Sequence, residues 1–534
     1  MNNEKPPVED KLQVIEVKQF RGMNVVDDPI TLDPSESPMM TNLDITKNGA
    51  LTCRYGYEEV IDLTSAGGSG RMHGLGAYYN TNGTYNGDYL ISFNNDKLFR
   101  TQGVNYAGTI SVGSTYSGGN RKVRGITHLN NFVYGNNAFT PLFFDGNSIT
   151  PVATGIAADV LGVFQSRLFI SGRASTLYWS KEGTMDTDIN TNFTDVALGD
   201  GTVISGIIPN LDFLQVYKQN SIHGVSWSVN SDGTISIPQL QVIQSYQGGN
   251  IAISSLQAVY GYTYFLSKYG FQAYGASPER VTANIPLPLS LVLDPLIQQI
   301  NFDYSDQVAS AFFDNKYLCA VPIGRSQSIN NVVLVFNENI KRRFGIDNWV
   351  QYTGLPVDDF AVYRNGGQDE LYFSSAYEPK VYKFNKSYSD NGSGYERLWR
   401  SKTFQNGERT EWVYMDLEGA KTVESIIYVD LWTDGIKYPN IQITDANFIL
   451  SSTGSGYLGD NYTGTAYLGD AYESPSAMPL YRFRKRIRFP QVVNMGYNMY
   501  FTIRNNANNE GWKLNRYRII YRLQPDDPNF PYTD

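Results

Sequence analysis

The sequence predicts an all-β chain, and three observations carry that expectation. Tyr, Phe and Trp make up 14% of the 534 residues, and there are 49 glycines, a balance that suits pleated strands and tight turns. Charged residues are only 18% of the chain, so the polar face that an exposed helix needs is scarce. Short apolar-aromatic runs separated by Asn, Asp, Gly or Lys recur from about Tyr78 to Asn385, which is the signature of successive hairpins.

Seven such hairpins occur. They are Tyr89 to Phe93 with Lys97 to Phe99, Phe132 to Tyr134 with Leu142 to Phe144, Arg167 to Ile170 with Leu177 to Trp179, and Phe213 to Tyr217 with Ile222 to Val225. Thr263 to Leu266 with Gly270 to Tyr274, Tyr317 to Val321 with Val332 to Phe336, and Leu371 to Phe373 with Lys380 to Phe384 complete the series. A repeat of roughly 40–50 residues matches propeller blades, small sheets that bury their faces only by stacking on one another. The expectation is therefore a β-propeller of six to eight blades, most simply seven. A pair of ordinary β-sandwiches is the competing architecture, because it too yields short, evenly spaced strands.

Four segments follow in chain order. Residues 1–16 mix Pro, charge and a short apolar patch and read as an extended N-terminal arm. Residues 17–386 form the propeller together with an N-terminal strand segment, and the stretch from Pro286 to Ile300 holds one short helix inserted between blades. Residues 387–395, Ser-Tyr-Ser-Asp-Asn-Gly-Ser-Gly-Tyr, read as a linker. Residues 396–534 read as a β-sandwich-like domain, from strand patterns such as Val423 to Leu431, Met499 to Ile503 and Tyr517 to Tyr521. Within it Tyr457 to Tyr462 and Tyr467 to Tyr472 repeat one phrase ten residues apart, as two glycine-bearing loops or a protruding hairpin would.

Chemistry-bearing patterns are few. Cys53 and Cys319 are the two cysteines, too far apart for a metal-ligand spacing and read as buried small hydrophobes. His73, His128 and His223 form no His-Glu-x-x-His pattern, and the chain lacks the Gly-Lys of a phosphate-cradling loop. Little strand-to-helix alternation exists to build a nucleophile elbow. The segment from Asp186 to Asn190 opens like a calcium loop but continues with Thr191 where Gly is needed and Ala197 where a carboxylate is needed, so it reads as a polar loop. Catalytic, cofactor and metal residues are accordingly expected to be none. A glycosidase stays open, because two carboxylates at the right separation leave no sequence signature.

One segment stands out. Tyr481 to Phe489 has period two, so as a strand it sends Arg482, Arg484, Arg486 and Arg488 to one face. Such a row requires counter-charges: either carboxylates such as Glu411, Asp416 or Glu418 on a paired strand or a neighbouring subunit, or DNA phosphates. The net charge of −9 weighs against phosphate, whose binding draws on Lys and Arg. No apolar run reaches the ~20 residues of a membrane-spanning helix, and no secretory signal opens the chain.

A phrase near the start is ordered: Gln19-Phe20-Arg21-Gly22-Met23-Asn24, Asp28-Pro29, Glu36-Ser37, Asn42-Leu43-Asp44 and Gly49 to Tyr57. A second comprises Ser166 to Ile170, Leu177 to Ser180, Phe193, Gly199 to Ile207 and Val216 to Ile222, and a third, fainter one surrounds Trp512 and Tyr517 to Arg522. Together these resemble the propeller-bearing tail proteins of short-tailed bacteriophages, the hub, nozzle or packaged-DNA stabilisation proteins, over about two-thirds of the chain. The resemblance implies a non-enzymatic virion protein, synthesised in the host cytoplasm and located in the tail. It implies a ring, commonly a hexamer, contacting portal, adaptor and other tail proteins and passing DNA without sequence-specific contacts. This chain is shorter than the larger nozzle proteins of that group. A receptor- or glycan-binding propeller and a carbohydrate-cleaving propeller are the rival expectations.

Overall fold

The computed structural model describes residues 12–81, 87–102, 110–114, 121–210, 213–226, 239–245, 248–275, 287–444 and 480–524. Strands dominate, and they fall into two compact units, one of residues 59–335 and 354–384 and the other of 1–58, 336–353 and 385–534.

The first unit is a seven-bladed β-propeller. Blade 1 comprises Gly74–Asn80, Gly87–Asn94, Lys97–Gln102 and Ile110–Ser114; blade 2 comprises Arg124–His128, Asn131–Gly135, Leu142–Phe144 and Ile149–Pro151. Blade 3 is Val160–Phe164, Arg167–Ser171, Thr176–Trp179 and Phe193–Asp195, and blade 4 is Ile204–Asn210, Phe213–Lys218, Ser221–Ser226 and Gln239–Ser245. Blade 5 is Gln257–Val259, Tyr262–Ser267, Gly270–Gly275 and Leu287–Pro288, and blade 6 is built on Ala309–Phe313, Lys316–Val321 and Val332–Asn337. Blade 7 takes Val357–Asn365, Gln368–Ser375 and Lys380–Phe384 and is completed by the much earlier strand Tyr57–Asp62. Joining the beginning of the repeat to its end in one sheet closes the ring non-locally.

Each hairpin read from the sequence forms the two middle strands of one blade, and the first of the two, such as Arg167–Ser171, is buried on both faces. Apolar clusters fill the gaps between successive blades: Leu90, Phe99, Tyr363 and Tyr372 between blades 7 and 1, Phe93, Phe132 and Tyr134 between 1 and 2, and Phe169, Trp179, Val216 and Val225 between 3 and 4. At roughly 25 cal/mol per Å² of apolar surface removed from water, this stacking is the main stabilising term. The single helical turn Asp294–Ile297, between two 3₁₀ segments, occupies the insertion between blades 5 and 6, opened by Pro295 in its first turn.

The second unit is a two-layered sandwich. One layer runs through Tyr481–Arg488, the long strand Phe404–Lys421 and Trp512–Leu523, and the last of these also takes Gln13–Val17 and Leu51–Cys53. The other runs through Ile436–Ile443, Ile427–Thr433, Met495–Asn505, Arg397–Arg400 and Met39–Thr41. Phe404–Lys421 joins both, pairing with Met495–Asn505 through its first half and with Tyr481–Arg488 and Trp512–Leu523 through its second. The layers meet on an aromatic cluster in which Trp399 lies 5.4 Å from Phe501, 5.8 Å from Tyr517 and 5.6 Å from Phe20.

Three boundary expectations need correction. Residues 17–56 belong with the C-terminal strands and not with the blades, and Phe20, Leu43 and Leu51 are buried there. The arm docks within its own chain, as Gln13–Val17 pairs antiparallel with Tyr517 to Tyr521; residues 1–11 lie outside the described ones. Residues 387–395 are no free linker: Tyr388, Ser389, Asp390 and Tyr395 are buried and hydrogen-bonded. A second helix, Glu338–Phe344, had no sequence forecast; the Asn337 side chain caps its start and Gly345, at φ 72°, its end. The Tyr457 and Tyr467 phrases fall outside the described residues.

Candidate functional site: two charged assemblies

The strand Tyr481–Arg488 pairs antiparallel with Phe404–Lys421 in a register that sets Arg486 opposite Asp416, Arg484 opposite Glu418, Arg488 opposite Tyr414 and Arg482 opposite Ala420. Asp416 in turn faces Arg518, and Arg518 faces Glu16. Four strands thus present one row of alternating sign, Glu16, Arg518, Asp416, Arg486. Arg516, Glu418 and Arg484 form the next row.

Arg486 grips Asp416 bidentately at 2.7 and 2.9 Å and lies over the Tyr414 ring at 4.1 Å. The Arg486 hydrogen bonds hold the Asp416 carboxyl below the usual carboxylate range. Arg518 reaches Glu16 at 2.5 Å, and Arg516 bonds Glu418. Arg484 lines the same shallow cleft with Asp416, Glu418, Arg516 and Arg518. Glu411, the third expected counter-charge, sits 3.8 Å from Arg522 on the terminal strand. Arg484, Arg486 and Arg488 are exposed and Arg482 is half-buried.

The second assembly lies in the propeller, at the starting ends of its first strands, and nothing in the sequence pattern announced it. Asp159, just before blade 3, accepts from Arg124 of blade 2 at 2.9 Å and from Arg173 at 2.6 Å. Arg173 continues to Asp306 at 2.7 Å, and Arg124 also bonds the Asp306 carbonyl at 3.0 Å and the Ser254 hydroxyl at 2.9 Å. Asp306 belongs to the 3₁₀ segment Phe302–Gln307 leading into blade 6, so these bonds run across the ring from blades 2 and 3 to blades 5 and 6. Lys122 adds bonds to the carbonyls of Val308 at 3.2 Å and Asp358 at 2.8 Å and an ion pair to Asp359 at 3.3 Å. Arg71, ahead of blade 1, donates to the Gln307 side chain at 2.8 Å.

The axis is therefore bridged at this end by groups from six blades and the segment Phe302–Gln307. Burial pushes the Asp358 carboxyl up to about 6. Burial alone would raise Asp306 as well, but the Arg173 hydrogen bond and the neighbouring cations leave it below its ordinary value.

The remaining sequence candidates have structural surroundings. Cys53 and Cys319 are buried, and burial raises both thiols. Asp186 accepts the N–H of Ala153, 33 residues earlier in the chain, at 3.1 Å. His128 Nε2 lies 3.1 Å from the Thr184 carbonyl, and His223 Nε2 2.9 Å from Ser221 Oγ. A cavity of about 360 Å³ in the sandwich is lined by Gly394, Tyr395, Glu396, Arg504, Asn505 and Asn506, a polar set with one carboxylate and one guanidinium.

No family model and no curated protein matches the chain. Solved structures that resemble it include the extracellular domain of a hybrid two-component system from B. thetaiotaomicron, at 10% identity and TM-score 0.39 over 67% of this chain and 43% of that one. The WD40 domain of Neurospora crassa Pan2 follows at 7% and 0.36, over 62% and 95%. PorZ, a surface component of the type-IX secretion system of Porphyromonas gingivalis, gives 11% and 0.36, over 62% and 37%. This chain thus spans less than half of the first and third. With all three scores below 0.5, the seven-bladed assignment rests on the chain's own strand order.

Proposed function

We propose that this chain is a structural, non-enzymatic virion protein of a bacteriophage tail. It forms a ring, of six copies, that extends the DNA channel below portal and adaptor, holds the packaged genome and later lets it pass. The observation that carries the reading is the use made of the charged side chains. In the propeller they bridge the axis from blade to blade, and on the sandwich they neutralise one another across four strands. Polar groups placed this way stiffen a scaffold, which is what a wall under load requires. An acidic chain also repels a sliding duplex instead of gripping it. With each propeller bridged at its own axis, the conduit of this reading runs between copies.

Electron-microscopy averages of the purified chain, alone and mixed with a portal–adaptor complex, test it. Rings are expected in at least one of the two; single-chain particles in both would overturn the reading.

Exposed aromatic rings on the propeller, Phe193, Tyr260, Tyr269 and Tyr377 at 52–58% exposure, favour one second reading, a glycan-binding adhesin in which they stack on sugars. Millimolar or tighter binding on a glycan array would move the assignment there, and release of reducing ends from a host polysaccharide would move it to a carbohydrate-cleaving propeller.

A further inference from the structure

The outer face of the second sandwich layer is unlike the charge-balanced face of the first. Trp432 and Tyr500, neighbours on paired strands, stack at 5.4 Å with 14° between their planes. Lys437 sits over Trp432 at 5.1 Å, Arg400 over Tyr500 at 4.1 Å and Arg504 over Tyr428 at 5.1 Å. Against these three cations the strands of the face set, among the described residues, the single carboxylate of Asp430, shared by Lys437 at 3.0 Å and Arg504 at 3.2 Å. Two further carboxylates stand at the margin. Glu396 lies in the cavity it shares with Arg504, and Asp434, past the strand end, is taken up by the N–H groups of Tyr497 and Asn498 at 2.9 and 2.8 Å. The adjoining strand Ile436–Ile443, which among the described residues pairs with Ile427–Thr433, exposes Ile436 at 55% and Tyr438 at 38%. The result is an aromatic surface, cationic at its centre, with apolar side chains at its border.

A complementary surface exists on the propeller. The outermost strand of blade 3, Phe193–Asp195, and the turns on either side of it expose Phe193 at 55% and Leu198 at 73%. Phe193 packs on Tyr178 at 5.9 Å, which fixes its ring. Close to these apolar groups in the chain lie the carboxylates of Asp186, Asp188 and Asp195, with Lys181 at the start of the stretch, while Glu182 is paired with Arg167 at 2.8 Å. Asp186 and Asp188 belong to the loop whose spacing imitates a calcium site. Acidic residues outnumber basic ones in the propeller as a whole, which carries 23 Asp and Glu against 17 Lys and Arg.

We propose that the cationic aromatic face of the sandwich docks against the acid-rimmed edge of blade 3 of a second copy of this chain. The proposal rests on the ring reading above and names its interface. A closed ring uses two different surfaces of one subunit, repeated head to tail, and these two are opposite in charge with apolar residues in each. Desolvated aromatic and Arg contacts are the groups that dominate association energy, and rim charges of opposite sign speed and orient the encounter.

The test is a charge swap read by sedimentation equilibrium on the full chain. Arg400→Glu with Lys437→Glu, and separately Asp188→Lys with Asp195→Lys, should each weaken self-association at least tenfold while the circular dichroism spectrum and melting point stay near those of the unaltered chain. Combining all four changes in one chain should restore most of the lost association, and added NaCl should weaken the unaltered assembly. Should a set of changes lower the melting point, the milder Arg400→Gln and Asp195→Asn report the same contact. Rings that form undiminished in both reversed variants would overturn the interface and leave the ring reading standing. A chain that stays single with and without portal and adaptor would remove the ring reading itself. Capture of an anionic polymer such as heparin by the same face, without self-association, would assign the face to another occupant and also overturn the proposal.

Discussion

Tyr395 lies between two buried guanidinium groups, Arg54 at 4.0 Å and Arg397 at 3.8 Å from its ring centre. Asp390 answers Arg54 with two bonds of 2.8 and 2.6 Å, while Arg397 relies on the Tyr388 carbonyl at 2.6 Å and the Asn505 side chain at 2.6 Å. Removing one partner of a buried pair strands the other charge, so Asp390→Ala should cost about 3–5 kcal/mol in urea unfolding. Arg486→Ala, which cuts an equally well-aligned pair, should cost clearly less in the same measurement, because the Arg486 end is exposed and the buried Asp416 carboxylate still faces Arg484 and Arg518. The contrast also marks what single residues reveal before folding. The period-two arginines and two of their carboxylate partners were legible because cross-strand register follows from alternation. Asp390 was not: its neighbours Ser389, Asn391 and Gly392 are ordinary turn formers, and its partner stands 336 positions away.

Among the strands, the second of each blade was readable because both its faces are buried, which leaves nearly unbroken apolar runs, and its hairpin partner follows after a short turn. The first strands were harder to see. Gly76 and Gly125 interrupt them, and the reason is packing: a Cβ at Gly76 would come within 2.6 Å of the Phe132 ring and one at Gly125 within 2.3 Å. Gly125→Ala should therefore destabilise by roughly 1–3 kcal/mol, as overpacking of a filled core does, with Phe132→Leu in the same chain recovering part of the loss in thermal melts. Turn chemistry was hidden for a second reason. Leu129 and Asn130, and likewise Gln165 and Ser166, both adopt positive φ in two-residue hairpin turns. Gly, Asn and Asp are the residues expected at such positions, so the stacked blades impose a backbone shape that Leu129 and Gln165 would not choose locally.

Across the molecule, the three histidines set a common pH response. Burial depresses His73, His128 and His223 below their ordinary value of 6.5, and for His223 the nearby Lys218 adds to the effect. The unfolded chain then binds more protons than the folded one, so this contribution to stability is complete above about pH 6.5 and falls as the pH drops below it. Asp358 runs the other way: with its carboxyl raised from 3.8 to about 6, its contribution is largest in acid and is lost as the pH rises through 6. Three groups oppose one, and melting temperatures measured between pH 8 and pH 5 should fall toward the acid end. A melting temperature that rises across that interval would show that the histidines are not buried as neutral rings.

The propeller was the most legible part of the whole, because seven similar repeats announce themselves. The division of the chain was the least legible, since residues 17–56 and 385–534 are brought together by contacts between distant segments that no local pattern encodes.

In the proposed assembly, copies of this chain close into a ring whose wall carries the load. Native mass spectrometry of the purified protein at low ionic strength, repeated after addition of portal and adaptor, weighs that ring without intermediaries. One discrete closed multiple of the 59.9 kDa chain, six in the proposed ring, is the expected mass. A mass of one chain under both conditions would contradict it.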